Sequence, residues 1–120
     1  MRTVFDVELR PPLARLRITG ELDLASHERL VETTAWLRRH GCSEVELDLA
    51  GVAFIDASTL RVLHREQMRL MLTGGRLRVV AASAYHQVVS RLAGYPGLMA
   101  PPDRPGGATD LPRRRLRVAR

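Results

Sequence analysis

The chain has no lysine and no asparagine, one cysteine and few aromatic residues. With Cys42 alone, neither a disulfide framework nor a cysteine-based zinc site can form within one chain. The aromatics are Phe5, Trp36, Phe54, Tyr85 and Tyr95, so the core must be aliphatic, chiefly Leu, Val and Ala. No apolar run reaches membrane length. The N-terminal stretch Met-Arg-Thr-Val-Phe-Asp-Val-Glu lacks the apolar core of a signal peptide. A cytoplasmic protein without a membrane partner is expected. The absence of both lysine and asparagine fits a GC-rich coding sequence better than selection for phosphate binding.

The formal net charge of +6 over 120 residues hints at nucleic acid until it is located. Residues 101–120 carry six arginines against two aspartates, whereas residues 1–100 carry thirteen arginines against eleven acids. The basicity belongs to the end of the chain. Its run Arg113-Arg114-Arg115-Leu116-Arg117 has no interleaved aromatics for stacking bases, which makes a nucleic-acid partner an unfavoured reading. With Pro101, Pro102, Pro105, Gly106, Gly107 and Pro112 and little to bury, residues 101–120 are expected to be a disordered basic tail after one domain at 1–100.

Hydrophobic periodicity organises those hundred residues. Phe5, Val7 and Leu9 alternate with charged residues as a first strand, which Pro11-Pro12 ends. Ala14, Leu16 and Ile18 form a second strand, ending at Gly20 and most simply antiparallel to the first. Ser26 is placed to cap a helix that Gly41 stops. Val45, Leu47 and Leu49 alternate with Glu46 and Asp48 as a third strand, leading through Gly51 and Val52–Ile55 to Asp56-Ala57-Ser58-Thr59. From Leu60 the period changes, and Leu60, Leu63, Gln67, Leu70 and Met71 share a helical face up to Thr73 and Gly74-Gly75. Leu77, Val79 and Ala81 make a fourth strand, and Ser83 caps a helix ending at Gly94. Leu98-Met99 are expected as a short edge strand or a packed terminus. The order β-β-α-β-α-β-α predicts an α/β fold: a mixed sheet of four to five strands with helices on one face.

Two hydroxyls and a carboxylate therefore meet where a strand hands over to a helix. Asp as N-cap and small hydroxyls in a first turn explain them structurally. A hydroxyl there would also, once phosphorylated, set its charge at the positive end of the helix dipole. Gly20-Glu21-Leu22-Asp23 reads as a strand end with a local aspartate cap, or as a carboxylate loop facing a partner. Enzyme chemistry is not supported. His27, His40, His64 and His86 lack paired metal-ligand spacing and read as surface or rim residues. Ser58 has no G-x-S-x-G turn, and Gly74-Gly75 is not a phosphate loop. No cofactor is expected.

Taken together, G-E-L-D-L-A-S at 20–26 and V-E-L-D-L-A-G-V-A-F-I-D-A-S-T-L at 45–60, in this order of elements, resemble the STAS domain of bacterial anti-sigma-factor antagonists. The resemblance covers about residues 3–100. It implies a non-enzymatic, partner-switching role in transcription regulation. The partner is an anti-sigma factor that is also an ATPase-type serine kinase, and a phosphatase resets the switch. Ser58 falls on the phosphoacceptor position, with Thr59 as a second candidate hydroxyl where the family most often has glycine. The implied partner-binding residues are Asp23, Asp56, Ser58, Thr59 and Arg61. The competing expectation is a STAS module acting as a non-phosphorylated scaffold in another signalling or transport assembly.

Overall fold

A computed structural model describes residues 2–99 and 115–118, the last four as backbone only. Its elements are β1 (Val4–Arg10), β2 (Leu13–Leu22), a single 3-10 turn at Leu24–Ser26, α1 (His27–Arg39), β3 (Glu44–Ile55), α2 (Ala57–Leu72), β4 (Arg76–Ala81), α3 (Ala84–Leu92) and β5 (Arg115–Val118). The strands form one mixed sheet in the order β4-β3-β2-β1-β5. The β1–β2 hairpin turns at Pro11-Pro12, joined by a cis peptide bond, and is antiparallel. The β2–β3 and β3–β4 pairs are parallel, as strand–helix–strand connections require.

The period-2 alternation of the strands decides which face is covered. Phe5, Val7, Ala14, Leu16, Ile18, Val45, Leu47, Leu77 and Val79 are buried, together with Leu30 and Leu37 of α1 and Leu60, Leu63 and Leu70 of α2. The opposite face is held by ion pairs between strands. Arg15 and Arg78 flank Glu46 at 3.0 and 3.5 Å, Arg17 meets Asp48 at 3.3 Å, and Arg76 meets Glu44 at 3.7 Å. Helices on one side and charge on the other is the arrangement expected from the sequence.

An irregularity in the β2–β3 pairing positions the functional end of the sheet. Register shifts fall between Arg17 and Thr19 and between Gly20 and Glu21. A side chain at Gly51 would put its Cβ 2.6 Å from the Thr19 methyl carbon, so only glycine lets the strands approach there. Gly20 adopts φ +108°, a conformation that L side chains rarely enter. Past this bulge the register resumes with Leu22 opposite Ile55. Asp23 and Asp56 thus leave neighbouring parallel strands at the same end.

Several expectations need correction. The entry to α1 is capped one turn earlier than Ser26: Asp23 Oδ1 accepts from the Ala25 amide at 3.1 Å, and Ser26 makes no side-chain cap. On α2, Met71 is exposed, and Glu66 takes a place on the buried side, where Thr34 donates to its carboxylate. Leu98 and Met99 are buried in a turn, a packed terminus rather than a strand. Within the stretch expected to be a disordered tail, Arg115–Val118 form β5 against β1. Leu116 and Val118 alternate with Arg115 and Arg117, a strand pattern, and β1 offers an open edge. The rest of that tail, residues 101–114 and 119–120, lies outside the described residues. Among the described residues no helix is long and apolar enough to cross a membrane.

Candidate functional site

Asp56 ends β3 in an extended conformation and caps α2, its Oδ1 accepting from the Thr59 amide at 2.8 Å. Ser58, in the first turn, donates its hydroxyl to the same oxygen at 2.8 Å. Burial by itself would push the Asp56 carboxyl up. The Thr59 hydroxyl and amide, the Ser58 hydroxyl and the nearby His27 outweigh burial and hold it below its ordinary value. It stands as a carboxylate at the N-cap of a helix, where the dipole favours negative charge.

Thr59 is fully buried and ties the loops together. Its Oγ1 lies 2.9 Å from the Leu22 carbonyl, 2.7 Å from Asp56 Oδ1 and 2.8 Å from His27 Nε2. A hydroxyl has one proton, and two of these neighbours can only accept. The third, His27 Nε2, must therefore be the donor. That fixes the proton on Nε2, with the ring 3.5 Å from Ser58 Oγ and 3.9 Å from Asp56 Oδ1. The end of β2, the start of α1 and the start of α2 become one connected junction.

This geometry brings together most of what the sequence singled out. Asp56, Ser58 and Thr59 share the cap, and the Leu22 carbonyl brings the loop of Asp23 beside it. Ser58 is half-buried and lines an open groove between α1 and α2, with Leu24, His27, Val31, Arg61 and Val62. Arg61 is exposed on that groove, whose lining also includes Arg65 of α2 and Glu28 and Glu32 of α1. Leu24 is 74% exposed and Phe54 49% exposed, each within two residues of a junction aspartate. Of the two candidate acceptors, Ser58 is half-buried on the groove, whereas Thr59 is fully buried.

His27 is the residue that sequence reasoning misplaced. It reads as a rim residue, yet its ring is 14% exposed and holds the junction. Its position as the first residue of α1 is the available signal, since that places it at the same end of the sheet as Asp56. His86 also departs from the rim assignment: it is 3% exposed, and burial pulls its pKa down despite a backbone hydrogen bond with Ala53. Cys42 is buried and its thiol is pushed up by desolvation, the environment of an inert structural cysteine.

Comparison with known families decides the lineage. Residues 6–99 match a family model described as "Mlab, STAS domain". The chain belongs to the STAS family. No curated protein matches this STAS domain. Solved structures share its fold. The anti-sigma factor antagonist SpoIIAA in its unphosphorylated form superposes with a TM-score of 0.70 at 18% identity, covering 82% of this chain and 87% of the other. The phosphorylated form of SpoIIAA from Bacillus gives 0.65 at 18% identity, covering 82% and 90%. An anti-sigma factor antagonist from Mycobacterium paratuberculosis gives 0.71 at 18% identity, covering 85% and 86%. At such identities the likeness is one of fold.

Proposed function

We propose that this STAS domain is an anti-sigma-factor antagonist. It binds an anti-sigma factor of the serine-kinase, ATPase type through the junction of Asp23, Asp56, Ser58, Thr59 and Arg61, and is released by phosphorylation of Ser58. The observation that carries this reading is Ser58, half-buried on the α1–α2 groove with its hydroxyl bonded to the N-cap carboxylate of α2. Transfer of the γ-phosphoryl group of ATP forms the Ser58 Oγ–P bond, breaks the bond to ADP and releases the hydroxyl proton. Asp56 then loses the proton it accepts at 2.8 Å and faces about −1.5 to −2 of new charge. An interface packed over Leu24 and Ser58 would have to desolvate that charge. A phosphatase returns the hydroxyl and restores binding. No change of fold is required.

The test is phosphosite mapping after incubation with ATP and the ATPase-type anti-sigma factor encoded in the source organism. Phosphate on Ser58 supports the switch. Unmodified Ser58 and Thr59, with partner affinity unchanged by Ser58→Glu, would sink it.

A second reading draws on Thr59. Its buried hydroxyl locks the junction together, where a glycine would leave the loop looser and more open to a kinase. That favours a constitutive docking face, a scaffold in another signalling or transport assembly. It requires Ser58→Ala and Ser58→Glu to bind the partner equally.

A further inference from the structure

We propose that the outer edge of β1 is a charge-reading strand-acceptor site, and that its resident ligand is the chain's own Arg115–Val118 segment. The inference is independent of Ser58. An edge strand presents unpaired backbone N–H and C=O groups that accept another strand, and the residues facing the incomer decide which strand fits. β1 is bonded to β2 on one side, and β5 fills the other in antiparallel register. That register sets Glu8 opposite Arg115, Val7 opposite Leu116, Asp6 opposite Arg117 and Phe5 opposite Val118. All four positions match in kind: acid with arginine, core apolar residue with apolar residue. A slip by one residue in either direction would set both arginines against apolar residues, Phe5 and Val7 or Val7 and Leu9, so the pattern selects one register.

The selectivity reaches beyond β1. Across the sheet, the register runs Arg115, Glu8, Arg15, Glu46, Arg78, one residue from each strand with the sign alternating at every step. The next row runs Arg117, Asp6, Arg17, Asp48. Inside the sheet this alternation is realised as ion pairs at 3.0–3.5 Å between Arg15, Glu46 and Arg78, and between Arg17 and Asp48. β1 is the acidic strand at which a four-stranded sheet would stop. A strand with arginine at its first and third positions continues the rows, whereas an acidic strand would set like charges opposite one another. This gives the arginines of the C-terminal segment a purpose other than nucleic acid. They address it to its own sheet edge, and occupancy of that edge keeps β1 from pairing with other chains.

The experiment is backbone hydrogen exchange on the full chain, read over Val4–Arg10 with Val45–Leu49 of β3 as the folding control. The wild type should protect β1. The double variant Arg115→Glu with Arg117→Glu should exchange at least tenfold faster over Val4–Arg10, with β3 unchanged. Arg115→Lys with Arg117→Lys should keep the protection, because it keeps the charge. A free peptide spanning residues 112–120 should restore protection to the glutamate variant. Exchange over β1 that ignores the charge of residues 115 and 117 would overturn the proposal. Protection that appears only with protein concentration, alongside a dimer in sedimentation, would also overturn it by assigning the site to a second copy's segment.

Discussion

Thr59 holds this junction with one oxygen, where glycine would have no side chain to offer. Its buried Oγ1 lies within 2.9 Å of the Leu22 carbonyl, Asp56 Oδ1 and His27 Nε2, giving its one proton to one of the two acceptors and accepting from the histidine. Thr59→Val keeps the shape and removes that centre, leaving His27 Nε2 without its acceptor. A loss of about 1–3 kcal/mol in unfolding free energy is expected, the cost of unsatisfied buried polar groups; urea denaturation checks it. Asp56 adds a pH signature. Its folded carboxyl binds a proton less readily than the unfolded one, ordinarily near about 3.9. Its contribution to stability is therefore complete above that pH and disappears as pH falls through the folded value. Asp56→Asn retains a capping oxygen but not the charge. The wild type should exceed the variant at pH 6, with the gap closing below about pH 4. At this scale the sequence was partly legible. Asp56 announces itself as a cap by standing before a helical period, whereas His27 is marked only by its place at the start of a helix. Its partner is 32 residues away.

Among the elements, the strands were the most legible, because Phe5-Val7 and Ala14-Leu16-Ile18 alternate cleanly and a sheet with one charged face requires that alternation. Helix ends followed from glycines: Gly41, Gly74 and Gly94 all take positive φ. The composition of a helix face was harder. Glu66 sits on the buried side, where Thr34 of α1 donates to Oε1 and Oε2 has the charge of Arg69 at 3.5 Å but no hydrogen bond, a pairing visible only once α1 and α2 lie side by side. β5 was hidden by its setting, a strand pattern four residues long inside a proline- and glycine-rich stretch. The element α3 carries its own test. Burial disfavours the His86 imidazolium, so the unfolded chain, with histidine near about 6.5, takes up the proton first as pH falls. Stability should therefore decline from about pH 7 downward, and His86→Gln should flatten that decline in urea midpoints between about pH 7.5 and pH 5.

At the scale of the molecule, one sheet does two separate jobs at two places. Its bulged end, set by Gly20 and Gly51, brings Asp23 and Asp56 out together and builds the Ser58 junction under the helices. Its acidic edge receives the C-terminal strand. Arg115 and Arg117 of the basic end, which in isolation suggests a nucleic-acid tail, continue rows of alternating sign across the sheet. The fold was legible because its periodicities are local and its connections short. The use of the junction was not, because capping residues and phosphoacceptor residues are chemically the same. The central claim is that charge on Ser58 decides partner binding. The most direct measurement is calorimetric titration of the cognate ATPase-type anti-sigma factor into the wild type, Ser58→Ala and Ser58→Glu. The alanine variant should bind within about threefold of the wild type and the glutamate variant at least about thirtyfold more weakly, roughly 2 kcal/mol. Equal affinities for all three would contradict it.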